Sequence, residues 1–301
     1  MRVFLILFFL LIALPESLLA TQAVLQNEEV VVQFEKPLEN AAKEVADIYP
    51  AVKAELENTF KWRLDFRPTV ILIKDSKTFQ KIVESSLIVA VAVPQKNLIV
   101  IDNSKMNVHP FTLEITLKHE LCHLMLHHHI SEGNLPKWLN EGIAQWSSGG
   151  IAEIIMGESR DVLKQASLSG EFISLRGLTD KFPEDERAVL LAYEESKSIV
   201  EYITREFGAS GLLQVLNYLK NGYDVDAAIF KGLSVPFYEL ENRWHDYLQK
   251  RTTWFTYFSN NLYNVLFFLA GLILTYGFIR FLLKKKAYKD EGEDNIEDFR
   301  E

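Results

Sequence analysis

The stretch KHELCHLMLHHHISEGNLPKWLNEGIAQW, residues 118–146, contains five of the seven histidines of the chain and two predicted helices. His119, Glu120 and His123 form a His-Glu-x-x-His motif within a run of helical periodicity. Residues four apart lie on the same face of a helix, so both imidazoles can reach one metal ion. The pattern therefore predicts a zinc site, with Glu120 placed to accept a proton from water.

A second predicted helix supplies a candidate third ligand. A catalytic zinc ion has three protein ligands and one open position for water. The segment SEGNLP contains Gly133 and Pro136, which predict a break and a turn after the first helix. Glu141 lies on the next predicted helix, which the turn allows to fold back. We therefore expect His119, His123 and Glu141 to converge on one zinc ion.

The other histidines of this stretch have two interpretations. His127 continues the helix face of His119 and His123, so it is a conceivable fourth ligand. However, a site closed by four protein ligands would be structural rather than catalytic. We expect instead that His127, His128 and His129 form the frayed C-terminal end of the helix, where imidazoles complement the helix dipole.

The composition narrows the class of protein. The chain has 301 residues, of which 48% are hydrophobic, so it can bury a full core. Its net charge of -9 and the lack of a basic stripe argue against a nucleic-acid partner. Cys122 is the only cysteine, which excludes an intrachain disulfide, and we expect it to be a small buried residue. We expect no metal role for His109 and His245.

Two apolar stretches predict export and anchoring. Residues 1–20 combine Arg2, a short apolar run and small residues, as in a secretory signal peptide that is either cleaved or kept as an anchor. Residues 262–283 are apolar and long enough to cross a membrane as a helix. By the positive-inside rule, the lysine-rich start of residues 284–301 makes this charged tail cytoplasmic. The main domain would then lie on the exported side, periplasmic or extracellular.

The region between these stretches, residues 24–250, predicts one α+β domain. Runs rich in apolar and β-branched residues come first, and amphipathic helical runs follow, which is the order typical of this class. We expect the cleft walls to include the strand near residues 98–101. The predicted strands are residues 30–35, 67–75, 87–93 and 98–102.

Three predicted helices have recognisable boundaries. The helical pattern of residues 38–60 is interrupted near Pro50, because proline removes a backbone donor. Ser76 is a plausible N-cap for a short helix. A longer helical pattern over residues 184–208 stops at its terminal glycine.

The amino-acid sequences of several of these segments resemble those of a known family. His-Glu-x-x-His followed by WLNEGIA is similar to the gluzincin group of zinc metallopeptidases, whose metal is bound by two histidines and a glutamate. LPKWLNEGIAQW, AYEESKSIVEYITREFG and VAVAVPQKNLIVID resemble the peptidase MA-like domains of exported bacterial proteins. The resemblance implies a zincin-like (thermolysin-like) domain with an N-terminal mixed sheet and a helical C-terminal half.

The resemblance also implies roles for individual residues. It implies His119, His123 and Glu141 as zinc ligands and Glu120 as the general base. Gluzincins often use a tyrosine from a later helix as a hydrogen-bond donor to the oxyanion, and Tyr193 is our candidate. Because Tyr193 lies on the apolar stripe of its helix, a purely buried aromatic is the open alternative. The Gly-x-Met-Glu-Asn strand of aminopeptidase-N relatives is missing from the sequence, so aminopeptidase activity is not implied.

These features together predict a single-pass, membrane-anchored zinc metallopeptidase acting on peptide or protein substrates. A zinc-activated water would attack the peptide carbonyl while Glu120 takes its proton. The alternative is a catalytically silent, zinc-containing module of the cell envelope that binds peptides or partners. A third hypothesis, a membrane-tethered scaffold, predicts no bound metal.

Overall fold

The protein is described here by a computed structural model that covers residues 22–83, 88–108, 110–149 and 162–297. The predicted signal peptide and His109 therefore lie outside the described residues. The chain divides into two compact units, the first ending at Asp246 and the second beginning at Tyr247.

Five strands of the first unit form one mixed sheet in the order β1-β2-β3-β5-β4. The two outer pairs, β1 with β2 and β4 with β5, are antiparallel, whereas β3 pairs in parallel with both β2 and β5. The predicted mixed sheet is thus confirmed. The strands are β1 (Gln22–Gln26), β2 (Val31–Glu35), β3 (Thr69–Ile73), β4 (Ala90–Val93) and β5 (Leu98–Asp102).

Strands β4 and β5 form a hairpin whose order corrects one expectation. A 3-10 turn, Pro94–Lys96, and Asn97 in the left-handed conformation (φ 48°) connect the two strands. All of β5 is buried, and β4 is the strand at that edge of the described sheet. The prediction that residues 98–101 form a cleft wall is therefore wrong. Because β5 pairs with both β3 and β4, only β4 of this hairpin lies at an edge of the described sheet.

Helix α1 (Glu39–Phe60) runs without interruption through Pro50, contrary to prediction. Pro50 is exposed, while the opposite face of the helix packs on β2 and on the helix of the His-Glu-x-x-His motif. Tyr49, Val52 and Leu56 are almost completely buried on that face. Burying each such side chain contributes about 1.5–3 kcal/mol, which together exceeds the roughly 3 kcal/mol cost of an internal proline.

The short helix α2 (Ser76–Val83) has a different cap from the predicted one. The carboxylate of Asp75 accepts hydrogen bonds from the backbone N–H of Thr78 (3.0 Å) and from its hydroxyl (2.8 Å). The hydroxyl of Ser76 instead donates to the buried carboxylate of Asp102. Asp75 is therefore the capping side chain, and Ser76 ties the helix to the end of β5.

Helix α3 (Leu113–His129) carries the His-Glu-x-x-His motif through the middle of the first unit. It begins after Thr112, whose side-chain oxygen accepts a hydrogen bond from the backbone N–H of Ile115. Every residue from 119 to 126 is buried, including Cys122, because α3 packs against α1, the β4–β5 hairpin and the next helix. This burial raises the pKa of the Cys122 thiol to about 12.

The remaining secondary structure of the described residues is helical. Helix α4 carries Glu141, and α6 contains Gly208 with φ 71° and ψ 168°. The predicted stop at Gly208 is therefore a break, after which helical structure resumes. The helices are α4 (Lys137–Ser148), α5 (Val162–Ser169), α6 (Glu186–Lys220), α7 (Val225–Leu233) and α8 (Phe237–Glu297).

Helix α8 contains the apolar stretch Leu262–Leu283. In the part of the chain that the structure describes, this is the one helix long and apolar enough to cross a membrane, and none of it is buried. Residues 284–297 continue the same helix, and residues 298–301 lie outside the described ranges.

Candidate metal centre

Three side chains from two helices meet at one buried point. His119 and His123 lie on α3 and Glu141 lies on α4, and their candidate ligand atoms are all within 4.8 Å of one another. His123 Nε2 is 3.2 Å from His119 Nε2 and 3.6 Å from Glu141 Oε2. The exposed fractions of the three residues are 1%, 5% and 5%. The structure therefore brings together the ligand set that the sequence predicts.

Contacts at the N-terminus of α4 hold this helix in place. The backbone N–H groups of Lys137 and Trp138 donate to the carbonyls of Thr179 (2.7 Å) and Leu178 (3.1 Å). These bonds satisfy donors that the first turn of a helix leaves unpaired. The indole of Trp138 is fully buried and stacks on Phe237, with ring centroids 6.0 Å apart. The helix is therefore fixed one turn before Glu141.

Close packing against α6 holds α4 from the other side. A Cβ atom added to Gly142 would lie 2.1 Å from the backbone oxygen of Ser196, so only glycine permits this approach. One turn further on, the side-chain amide of Gln145 donates to the carbonyl of Tyr193 (3.0 Å). Glu141 is thus carried by a helix with little freedom to move.

The charges of the cluster suit a divalent cation. Burial, followed by the nearby His123, holds the pKa of His119 well below its usual range, so the ring is neutral and offers a lone pair. Glu141 Oε2 makes no hydrogen bond to any residue that the structure describes. A buried carboxylate oxygen without a donor is costly unless a cation satisfies it. Two imidazole nitrogens and one carboxylate oxygen are the protein ligands of a common catalytic zinc site.

Asn140 fixes the outer side of one imidazole. Its side-chain oxygen lies 2.9 Å from His123 Nδ1, and its side-chain nitrogen lies 3.3 Å from His127 Nε2. On the other imidazole, the hydroxyl of Ser148 is 3.5 Å from His119 Nδ1. Partners of this kind orient metal-binding histidines and select their tautomers.

The candidate base and oxyanion donor are both buried. Glu120 has an exposed fraction of 0% on α3. Tyr193 on α6 is 6% exposed, and its ring meets Phe182 edge-on with centroids 4.9 Å apart. The ammonium of Lys137 lies 5.1 Å above the Phe182 ring and 4.0 Å from Glu141 Oε1. Tyr193 is thus linked to the cluster through two intervening side chains.

Residues 127–129 form the last turn of α3, as predicted, but they are not frayed, because each ring has a specific partner. Residues 61–66, which follow α1, lie against this end of α3 and provide partners for its rings. Burial, and then His123, lowers the pKa of His127 to about 4, so this ring is a neutral acceptor. The contacts are His127 with Asn140, His128 Nε2 with Asp65 Oδ1 at 2.7 Å, and His129 Nε2 with the carbonyl of Arg63 at 2.9 Å.

Two residues beside the cluster were missed by sequence reasoning. Lys137 precedes Glu141 by one helical turn, and this spacing could have indicated an ion pair. Asn140 is a polar residue within a largely buried helix, which is a weaker signal, and its partners come from another helix. Outside the cluster, His245 stacks on Phe172 with centroids 4.1 Å apart.

Residues 66–250 match the model of the Peptidase MA superfamily. No curated protein sequence matches the chain. Among solved structures, the chain is similar to a point mutant of the M1 zinc metallopeptidase from Deinococcus radiodurans, with 14% identity and a TM-score of 0.42. The match covers 76% of this chain but 50% of that one, so this chain spans about half the length of that metallopeptidase.

The family match confirms the resemblance seen in the sequence. It spans more than half of the chain and contains both helices that bear the His119, His123 and Glu141 cluster. The protein is a member of the Peptidase MA superfamily.

Proposed function

We propose that the protein is a zinc metallopeptidase that hydrolyses peptide bonds. The observation that carries the proposal is the buried convergence of His119, His123 and Glu141 in a member of the Peptidase MA superfamily. A solvated helix face would not bring these three groups within 4.8 Å of one another. Glu141 Oε2 is a buried carboxylate oxygen that accepts no hydrogen bond from the described residues, and a cation at this point would stabilise it.

His119, His123 and Glu141 would hold the zinc ion. Zinc bound by such ligands supplies a Lewis acid that polarises a carbonyl group and makes water acidic enough to react near neutral pH. His119 and His123 present their Nε2 atoms to each other, and Glu141 presents Oε2 to His123. The ligand set is that of a gluzincin, and it supports a thermolysin-like arrangement of the domain.

Glu120 would act as the general base. It directly follows one candidate ligand on α3 and precedes the other by three residues, a spacing that supports a role beside a metal-bound water. Its carboxylate would take a proton as water attacks the peptide carbonyl. It would then return that proton to the leaving nitrogen as the C–N bond breaks. Tyr193 would donate a hydrogen bond from its phenol to the carbonyl oxygen, which becomes negatively charged.

We further propose that the domain works while tethered to a membrane. Residues 1–20 would direct export, residues 24–250 would form the catalytic domain, and residues 262–283 would span the membrane. Residues 284–301 would remain as a charged cytoplasmic tail. The exposed apolar helix Leu262–Leu283 supports this arrangement, and so do the lysines that follow it.

The proposed function is tested with the full chain in mild detergent. The measurements are zinc content by elemental analysis and cleavage of a mixed peptide pool. Glu120→Gln should keep the zinc and lower the cleavage rate at least about 100-fold, because only the proton acceptor is lost. Glu114→Gln, an exposed change on the same helix, is the matched control and should keep full activity.

Two outcomes would contradict this proposal. Full cleavage by Glu120→Gln would exclude the proposed base. Normal zinc content without cleavage of any peptide would instead favour a catalytically silent zinc module that binds peptides or envelope partners.

A further inference from the structure

Three histidines follow one another along one face of α3, but their ring nitrogens face different partners. His119 and His123 direct Nε2 into the ligand cluster. The Nε2 atom of His127 instead lies 3.3 Å from the side-chain nitrogen of Asn140. Because that nitrogen carries two hydrogens and no lone pair, His127 accepts the hydrogen bond. Its Nε2 lone pair is therefore already used and does not serve as a fourth ligand.

The same amide determines the tautomer of His123. The side-chain oxygen of Asn140, 2.9 Å from His123 Nδ1, can only accept a hydrogen bond. With this pairing, Nδ1 of His123 is the nitrogen that donates to Asn140, and Nε2 is the nitrogen left to bind a metal ion.

This arrangement depends on which way the Asn140 amide faces. If the amide turned by half a rotation, its NH₂ group would face His123 Nδ1, which would then have to accept. The proton of His123 would move to Nε2, and that nitrogen could no longer bind a cation. An acceptor at His127 stabilises the productive orientation, because it satisfies one amide hydrogen only when the oxygen faces His123.

We propose that His127 is a positioning residue for the metal centre, acting through the Asn140 amide on the ring of His123. The inference rests on the proposed function, since it requires His119, His123 and Glu141 to bind zinc. It assigns a role to His127 that is neither ligation nor simple capping of the helix end.

The test is the zinc affinity of the full chain, measured by competition with a chromophoric chelator. His127→Leu removes the acceptor and should weaken zinc binding about tenfold, the lower end of the range for partners of metal ligands. His127→Gln should bind zinc nearly as well as the parent, because its side-chain oxygen can accept from Asn140. His128→Leu is the matched control, since His128 contacts Asp65 rather than Asn140, and should leave the affinity unchanged.

A second background separates positioning from packing. In Asn140→Asp, both carboxylate oxygens accept, so no rotation can present a donor to His123. Adding His127→Leu in this background should change zinc affinity by less than about twofold, well below the tenfold loss expected beside Asn140. An equal loss in both backgrounds would overturn the inference and assign His127 a packing role. If His127→Leu does not fold, His127→Met provides the same comparison.

The parent protein separates this inference from the proposed function. Failure of the parent to bind zinc would contradict the proposed metal centre itself. Tight binding by the parent and equally tight binding by His127→Leu would contradict only the role of His127.

Discussion

At the scale of single residues, Tyr193 has two possible uses that differ by one atom. Its ring is buried against Phe182 in the first unit, as any aromatic of the core would be. Its hydroxyl is the group that would donate to the substrate during the reaction. Packing depends on the ring and catalysis on the oxygen, so phenylalanine at this position separates the two.

We predict that Tyr193→Phe lowers kcat about 100-fold and leaves zinc affinity unchanged, because loss of one oxyanion donor costs this much. Steady-state cleavage and chelator competition on the full chain measure the two quantities. Tyr202→Phe, a change to another largely buried tyrosine of α6, should have no effect on kcat. Unchanged turnover by Tyr193→Phe would show that the residue is only a packed aromatic.

At the scale of elements, one loop forms hydrogen bonds both to α4, which carries Glu141, and to side chains of α6 and α8. Residues 171–179 bond to the first turn of α4 through the carbonyls of Leu178 and Thr179. The same loop is held by the side chains of two glutamates, since the backbone N–H of Ile173 donates to Glu195 and that of Leu175 donates to Glu241. These two hydrogen bonds therefore help to fix the position of the loop, and through it the position of the helix that carries Glu141.

We predict that stability falls as pH rises because of Glu195. Burial raises its pKa to about 8, above the value near 4.5 of an unfolded glutamate. The folded protein therefore binds one more proton than the unfolded chain between these values. Its free energy of unfolding should fall by about 1.4 kcal/mol per pH unit over this window, and level off above pH 8.

Chemical denaturation of the full chain from about pH 5 to about pH 8.5, which covers most of this window, measures the effect. Glu195→Gln should remove this part of the slope, because the amide does not titrate. Glu201→Gln, an exposed change on the same helix, should leave the slope as in the parent. A parent and a Glu195→Gln variant with equal slopes would contradict the prediction.

At the scale of the whole molecule, the sequence divides into a large folded unit and an apolar helix followed by positive charge. The first unit ends at Asp246 and contains the candidate metal centre. The stretch Leu262–Leu283 is exposed along its length, which water would not favour. A membrane around this stretch would remove that cost and leave the following lysines on the cytoplasmic side.

We predict that a membrane-impermeant amine reagent modifies lysines of the first unit but not those of residues 284–289. The reagent is added to cells whose outer envelope has been made permeable, and mass spectrometry identifies the modified lysines. After complete lysis, both groups should react, which controls for the reactivity of the tail. Modification of the tail before lysis would contradict the proposed orientation.

The sequence by itself determined the features that depend on spacing along one element. The periodicity around His119 and His123 indicated one helix face, and the segment after it placed Glu141 on a second helix. The apolar stretches were recognised from their length and polarity, and the order of strands and helices from local periodicity. Each of these signals lies within one segment of the chain. The resemblance to the peptidase MA-like family was also visible in these segments alone.

Only the tertiary structure decided the contacts between elements that are distant in sequence. It engaged His127, His128 and His129 in specific contacts, kept α1 helical through Pro50, and buried β5 inside the sheet. It also placed Asn140 between two histidines and enclosed Glu195. These outcomes depend on which surfaces pack together, and the free energy of packing is a property of the assembled core rather than of any single segment.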